Sequence, residues 1–500
     1  MMNLQGSLEV TDCTITNQFN ESVNLIMMAP MITIFESIED TFLSGHIKVI
    51  DSLELIKKFR MTNQESLTLR FRQGSDRHNN TKVFKIYSIS DVQPEKDKAK
   101  TYTLHFIDPM YFKFQRTTID RCFRGTLASM LQKVLLEDVN MPGELLHIEE
   151  TKPANKSLIC PKWNVNKLVE HIKKQSTPRG EKEEITYDKS MFFYQSLMFD
   201  VDATPPEDGP NGIFYFKSFD TMLGSIKDKS FTYYPLITNK EFEEEDGFKE
   251  INSPSGKNSQ ILGYGFKEKG NTVKAQENGL FSAKQYTFDL LRGVFETYDY
   301  NLEQLFNKKG HLSPFAPYYL GEDNTFMAEE SDKINVDINA QKVEHMSMGS
   351  PIENSESNLF YRVNSTNMFS SQDTILDYTK SSTEQPPLGP ENRDSGDLER
   401  KAILSLLHNH TIDIKIPFRD DLKVGECVNI LLPSNQMDDD DISPVDSGLY
   451  LITKMRYNLS SMTDRGTIIM TLMKEGIDKP IQDVQMSMTV PEDESGSGST

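Results

Sequence analysis

Val83-Phe84-Lys85-Ile86-Tyr87-Ser88-Ile89 and Leu449-Tyr450-Leu451-Ile452-Thr453-Lys454-Met455 are the two stretches on which the fold turns. Adding 366 to the first gives the second: Val83 falls on Leu449, Phe84 on Tyr450, Ile86 on Ile452 and Ile89 on Met455. Past the turn-rich stretch from Pro94 to Lys100, the same shift carries Tyr102 to Ile468, Leu104 to Met470 and Phe106 to Leu472. Alternation at period two reads as a hairpin with one face on a core and a polar tip. One strand earlier, a shift of 361 carries Leu67 to Val428, Leu69 to Ile430 and Phe71 to Leu432, with Glu65 and Glu426 just ahead. The loop after that strand is five residues longer in the second copy and holds the acidic run Asp438 to Asp441. Two unrelated amphipathic hairpins can align over equal loops, but a further strand in the same order points to duplication. A trimer of such chains would present six similar modules and could meet a sixfold ring.

Working outward, residues 6–115 have β texture, with Leu67, Leu69 and Phe71 alternating with Thr68 and Arg70. Residues 116–234 read as an α/β domain. Leu127, Met130, Leu131, Val134 and Leu135 share one helix face, stopped by Pro142-Gly143. Val165, Leu168, Val169 and Ile172 repeat that spacing behind Asn164 as N-cap. Strands are expected at Phe192 to Phe199 and Ile213 to Phe216. Residues 235–275 plus 397–475 read as a second, discontinuous barrel domain, with Asp397 capping a helix through Leu407. Residues 276–396 form an inserted region, partly long loops; its 321–360 stretch has nine acidic and two basic residues. Residues 476–500 read as a disordered tail. The expected fold class is therefore α+β, mainly β: two similar tube-type β-barrel domains, an α/β domain and an acidic insertion.

The chain has 500 residues, with 54 Lys+Arg against 75 Asp+Glu and a net charge of −21. That length exceeds one ordinary core. The charge disfavours nucleic-acid wrapping, which needs Lys and Arg on phosphates, and docking to an anionic membrane. A 10% aromatic share argues against wholesale disorder. The start lacks a basic segment followed by an apolar one, so no secretory signal is expected, and Leu25 to Pro30 is too short to span a bilayer. Cys13, Cys122, Cys160 and Cys427 are scattered without a C-x-x-C pair and read as buried thiols.

No pattern carries chemistry. There is no P-loop, no G-x-S-x-G and no H-E-x-x-H, and Gly263-Tyr264-Gly265 lacks the third glycine of a dinucleotide loop. His408 and His410 could face one metal from a strand, but have no acidic partner nearby in sequence. Asp438 to Asp441 lacks the glycine and closing Glu of a calcium loop and reads as a solvated acidic loop. Trp163 reads as a packing anchor. Paired carboxylates for glycoside hydrolysis are not singled out among 75 acids. No catalytic, cofactor or metal residue is assigned.

Asp40-Thr41-Phe42-Leu43-Ser44-Gly45-His46-Ile47-Lys48-Val49-Ile50-Asp51 followed by Glu65 to Phe71 resembles the N-terminal tube domain of the baseplate central hub protein of T-even-type contractile-tailed phages. Pro161-Lys162-Trp163-Asn164 to Val169 is similar to the Pro-Trp segment and helix of that family's second domain. Leu398 to Leu407, Val424 to Pro433 and Gly448 to Ile452 resemble its second tube domain and preceding helix. The likeness is clearest over 6–115 and 397–475, fainter over 116–235 and nearly absent over 240–396; the order of elements carries it. It implies a non-enzymatic virion protein of the tail baseplate, assembled in the host cytoplasm: a homotrimer whose pseudo-sixfold ring joins a threefold spike protein, which can carry a lysozyme domain, to the sixfold tail tube or tube-initiator proteins. DNA would pass through the channel without specific binding, and no membrane insertion or cofactor is expected.

The excess acid could line such a channel, since like charge keeps phosphates from sticking. A secretion-system spike usually carries its β-prism in the same chain, and none is visible here. From another class, a carbohydrate-active enzyme or glycan-binding protein with β-modules would show a cleft with two converging carboxylates.

Overall fold

In the computed structural model the two hairpins share one ladder. Leu67 lies opposite Phe84, and Val428 opposite Tyr450. Ile86 lies opposite Phe106, and Ile452 opposite Leu472. Both ladders then slip at the same step, Tyr87 in one and Thr453 in the other, so even the β-bulge is repeated. Backbone N–H groups of Ile86 and Ile452 donate to the carbonyls of Glu65 and Glu426, each at 2.9 Å. Those two glutamates also accept N–H bonds from the residue three positions earlier, Thr62 and Lys423. Register, bulge and entry turn together establish the duplication.

Each module has five strands in the same chain order. The lead strands are Met31–Ser37 and Gly263–Lys269; the second strands are Ser44–Asp51 and His410–Pro417. The third strands are Ser66–Gln73 and Cys427–Leu431, the long strands Asn80–Pro94 and Gly448–Ser460, and the return strands Lys100–Ile107 and Gly466–Lys474. In the first module residues 38–43 join lead to second strand; in the second module residues 270–409 fill the same place. The modules diverge at the third strand. Ser66–Gln73 pairs antiparallel with Leu8–Thr16, whereas Cys427–Leu431 pairs parallel with Ile226–Tyr233.

The structure describes residues 8–73, 80–94, 99–152, 156–178, 190–197, 209–233, 260–269, 277, 282–289, 294–301, 312–313, 327–328, 334–335, 359–364, 396–408, 410–433, 443, 446–463 and 465–476. Asp438 to Asp441, the acidic run 241–246, most of 321–360, and the tail from 477 lie outside them. The fold is α+β and mainly β. The two modules share a single sheet and a single core, because the first lead strand runs antiparallel to the distal half of the second long strand, with Ile34 opposite Tyr457.

Between the modules lies a second core. Helix Leu127–Lys133 continues as a wider π segment, Val134–Asp138, and helix Val165–Gln175 starts where the Asn164 side chain accepts the Lys167 N–H at 2.9 Å. Their apolar faces, with Leu131, Leu135, Leu168 and Ile172, pack on Phe193 and Phe214 of the antiparallel strands Met191–Leu197 and Gly212–Ser218. Trp163 packs against this core and lies 5.0 Å from the His171 ring. Helix Gly396–His408 begins one residue before Asp397, which therefore stands in its first turn rather than at its cap. Cys13, Cys160 and Cys427 are buried, but Cys122 is exposed; it lies on the short strand Cys122–Gly125 with its side facing out.

Gly45 shows how tightly the first module packs. A Cβ there would lie 2.2 Å from the Thr33 carbonyl and 2.3 Å from the Phe106 ring. The equivalent second-module pair is Ile412 against Leu472, a swap of size between facing positions. Gly45→Ala should therefore cost about 2–3 kcal/mol by overpacking, with Gly45→Ala/Phe106→Leu recovering part of it. Urea denaturation of both variants checks this, and an unchanged midpoint for Gly45→Ala would refute the close approach.

Candidate assembly site at the module junction

Ile32, Ile34 and Glu36 point the same way from the first lead strand, so the apolar alternation ends in a carboxylate facing the core. Glu36 is 2% exposed. The Ser196 hydroxyl donates to its Oε1 at 2.7 Å, the Tyr457 hydroxyl to Oε2 at 2.8 Å and the Val424 N–H to Oε1 at 3.3 Å. One side chain thus ties the first module to the α/β domain and to two segments of the second module. Burial raises the Glu36 pKa, and the donors pull it back. Burial and the neighbouring Glu36 raise the Tyr457 hydroxyl well above its ordinary value, which keeps it a donor.

A second buried carboxylate fixes the same two domains from the other side. Asp108, fully buried, accepts from Asn211 N–H at 2.9 Å, Asn211 Nδ2 at 3.0 Å and Gln195 Nε2 at 2.8 Å. Asn211 in turn bonds both backbone groups of Val83, and Lys82 Nζ donates to its carbonyl at 3.1 Å. Burial lowers Lys82 to about 8, partly offset by Asp108. At the surface Glu39 accepts from His408 at 3.0 Å and Lys454 at 2.5 Å. Its carboxyl is held down to about 2, first by the His408 hydrogen bond and then by Lys454.

The face of the sheet opposite the core carries Phe35, His46, His105 and Arg456 at this junction, with His46 5.4 Å from Phe35 and Arg456 over the Phe35 ring at 5.8 Å. Lys48 is exposed beside them. Further along, Lys267 pairs with Asp413 at 2.8 Å.

The two histidines weighed as a metal pair and set aside go to different partners. His408 ends a helix and turns to Glu39, while His410 starts a strand, bonds the Tyr450 hydroxyl at 3.0 Å and lies against Phe266. Burial lowers His410 to about 4, so its ring is neutral. Among the described residues no group of three or more His, Cys, Asp or Glu is placed to hold a metal ion, and no helix is long and apolar enough to cross a membrane. Glu36 and Asp108 were not singled out from sequence; the visible signal was a carboxylate at the end of an apolar alternation, Ile32-x-Ile34-x-Glu36 and Leu104-x-Phe106-x-Asp108.

Glu475, just past the second return strand, is also fully buried and accepts from the Leu312 N–H, tying the inserted region to the second module. Burial pushes its carboxyl up to about 7.

No protein-family model matches this chain, and no curated protein does. Several solved structures are similar. A tail protein from Neisseria meningitidis MC58 is 11% identical over 94% of this chain and 98% of its own, at a TM-score of 0.45. The 43 kDa tail protein of prophage MuSo2 from Shewanella oneidensis is 8% identical over 93% and 99%, at 0.44. A type VI secretion system component from E. coli, described as structurally similar to T4 bacteriophage tail proteins, is 8% identical over 95% and 79%, at 0.39.

Glu36→Gln should cost about 1–3 kcal/mol, because an amide NH2 would meet donors already aimed at the carboxylate. Tyr457→Phe should cost about 1 kcal/mol. Denaturant titration measures both, and wild-type stability in Glu36→Gln would show that the cluster does not hold the junction. For Glu475 the sign runs the other way from an ordinary surface acid. A carboxyl raised in the fold contributes stability fully below about 4.5 and loses it as pH rises through about 7. Between pH 5 and pH 8 the wild type should lose up to about 3 kcal/mol that Glu475→Gln does not lose. Parallel pH profiles would refute the assignment.

Proposed function

We propose that this chain is a structural, non-enzymatic hub of a contractile phage tail, which assembles as a trimer into a pseudo-sixfold ring. The ring would join a threefold spike to the sixfold tail tube and leave a channel for DNA. The observation that carries this reading is the junction itself. One chain holds two equivalent β-modules fused edge to edge in one sheet, with matching register and bulge. A protein that repeats a module twice and trimerises offers six near-equivalent surfaces on one side and three on the other, which is what a symmetry adaptor requires. The resemblance of the strand order to baseplate hub proteins supports the same role, and so does a site made of interdomain clamps rather than a nucleophile and its base.

In this reading Glu36 and Asp108 keep the two modules and the α/β domain as one rigid unit while it bears load. The partners are the spike protein below and the tube or tube-initiator protein above, and the place of work is the virion tail baseplate.

Light scattering on the eluting peak of a size-exclusion column should give three times the chain mass, alone or with the spike. Negative-stain images of that peak should show a ring with an open centre. A monomer under both conditions would sink the reading.

A further inference from the structure

Lys82, Asp108 and Asn211 bring a primary amine, a carboxyl and a carboxamide together away from water. Lys82 is 3% exposed, Asn211 1% and Asp108 fully buried. A clamp between the first module and the α/β domain needs the carboxyl and the carboxamide, but not the amine. Lys82 Nζ donates to the backbone carbonyl of Asn211 at 3.1 Å, a neutral acceptor that does little to offset a buried ammonium. Burial accordingly pulls the amine down to about 8, with Asp108 opposing. A lysine desolvated in this way carries a share of neutral, nucleophilic amine near neutral pH.

The groups around the Asn211 side chain fill the other roles of an acyl transfer. The Val83 N–H donates to Oδ1 at 2.8 Å, where negative charge develops when a carboxamide carbon is attacked. Nδ2 donates to the Val83 carbonyl at 2.7 Å and to Asp108 Oδ2 at 3.0 Å. The amide plane is thereby fixed, and the carboxyl stands at the group that would leave. Asp108 is itself oriented by the N–H groups of Asn211 and Met110, each at 2.9 Å, and by Gln195 Nε2 at 2.8 Å. Burial raises its carboxyl and these donors pull it back, so it can take up a proton and return it. Amine and amide are held beside each other in a site closed to competing water.

We propose that Lys82 and Asn211 condense within the chain into an isopeptide bond, with Asp108 as the proton carrier. Lys82 exchanges its hydrogen bond to the Asn211 carbonyl for attack on Cγ by the neutral Nζ. The Nζ–Cγ bond forms, and Oδ1 takes the carbonyl electron pair under the Val83 N–H. Asp108 accepts a proton from Nζ and passes it to Nδ2. The Cγ–Nδ2 bond then breaks, the carbonyl reforms and ammonia leaves. The product is a secondary amide, Asp108 ends as it began, and no oxidant or co-reactant is needed. The bond ties the long strand Asn80–Pro94 to the residue that opens strand Gly212–Ser218, 129 positions away. It turns a hydrogen-bonded clamp into a covalent one and stands independently of the hub reading.

Intact-mass spectrometry of the full chain tests this. More than half of the folded chains should be lighter than the sequence mass by about 17 Da, one ammonia. Trypsin should pass over Lys82 and release a branched peptide joining residues 78–85 to residues 190–217, with fragment ions that place the link on Lys82 and Asn211. Asn211 precedes Gly212, and a succinimide at that step loses the same mass, so a second measurement separates the two. Lys82→Met leaves the bonds between Asp108, Asn211 and Val83 in place and should keep its full sequence mass, with a circular dichroism spectrum like the wild type's. Asp108→Asn should lose the branched peptide at least about tenfold, because no group then carries the proton. A wild-type chain that keeps its full mass after prolonged incubation overturns the proposal. Mass loss that persists in Lys82→Met without a branched peptide belongs to the succinimide and overturns it as well. A branched peptide formed at the wild-type level in Asp108→Asn overturns the role given to Asp108.

Discussion

A buried carboxylate held by donors from three other segments is the constraint on which the rest of the molecule depends. Glu36 can stay in the core only while Ser196, Tyr457 and Val424 remain aimed at it. Those donors belong to the α/β domain and to the second module, so neither can rotate against the first lead strand without leaving a buried polar group unmatched. Apolar contact alone would let two sheets slide. Asp108 adds a second point of attachment through Asn211, and two points fix an orientation where one would leave a swivel. The rigidity of the junction thus comes from a handful of hydrogen bonds set in a large apolar core.

The duplication was legible because it is written in alternation, which sequence displays directly. The hairpin offset of 366 placed every pair that the ladder shows, from Phe84 and Tyr450 to Phe106 and Leu472. What alternation cannot display is a compensated slip. The copies align without a gap, yet the first gains Asp91 in the strand and its turn is one residue shorter, so the apparent partner of Tyr457 was Asp91 rather than Val92. Nor does it display what lies across 421 residues of chain, the span from Glu36 to Tyr457. His408 and His410 are a case of spacing outweighed by context: a helix ends at the first and a strand begins at the second, so their rings go to different partners.

The edges of the two modules are not interchangeable, and the reason lies in the clamp. The counterpart of Glu36 on the second lead strand is Lys269, which is held by Asp446 and lies over the Phe266 ring at 4.0 Å. The counterpart of Tyr457 on the first long strand is Val92. Were a second-module long strand to pair with a second-module lead strand, the Tyr457 hydroxyl would lose its carboxylate acceptor. Were a first-module long strand to pair with a first-module lead strand, Glu36 would lose the tyrosine and face a valine. Each wrong pairing strands a polar group in the core, at a cost of about 1–3 kcal/mol. Only the second long strand on the first lead strand satisfies both. The polar clamp therefore does more than lock the domains. It gives the duplicated edges specificity, because two modules that had stayed identical could meet in any order.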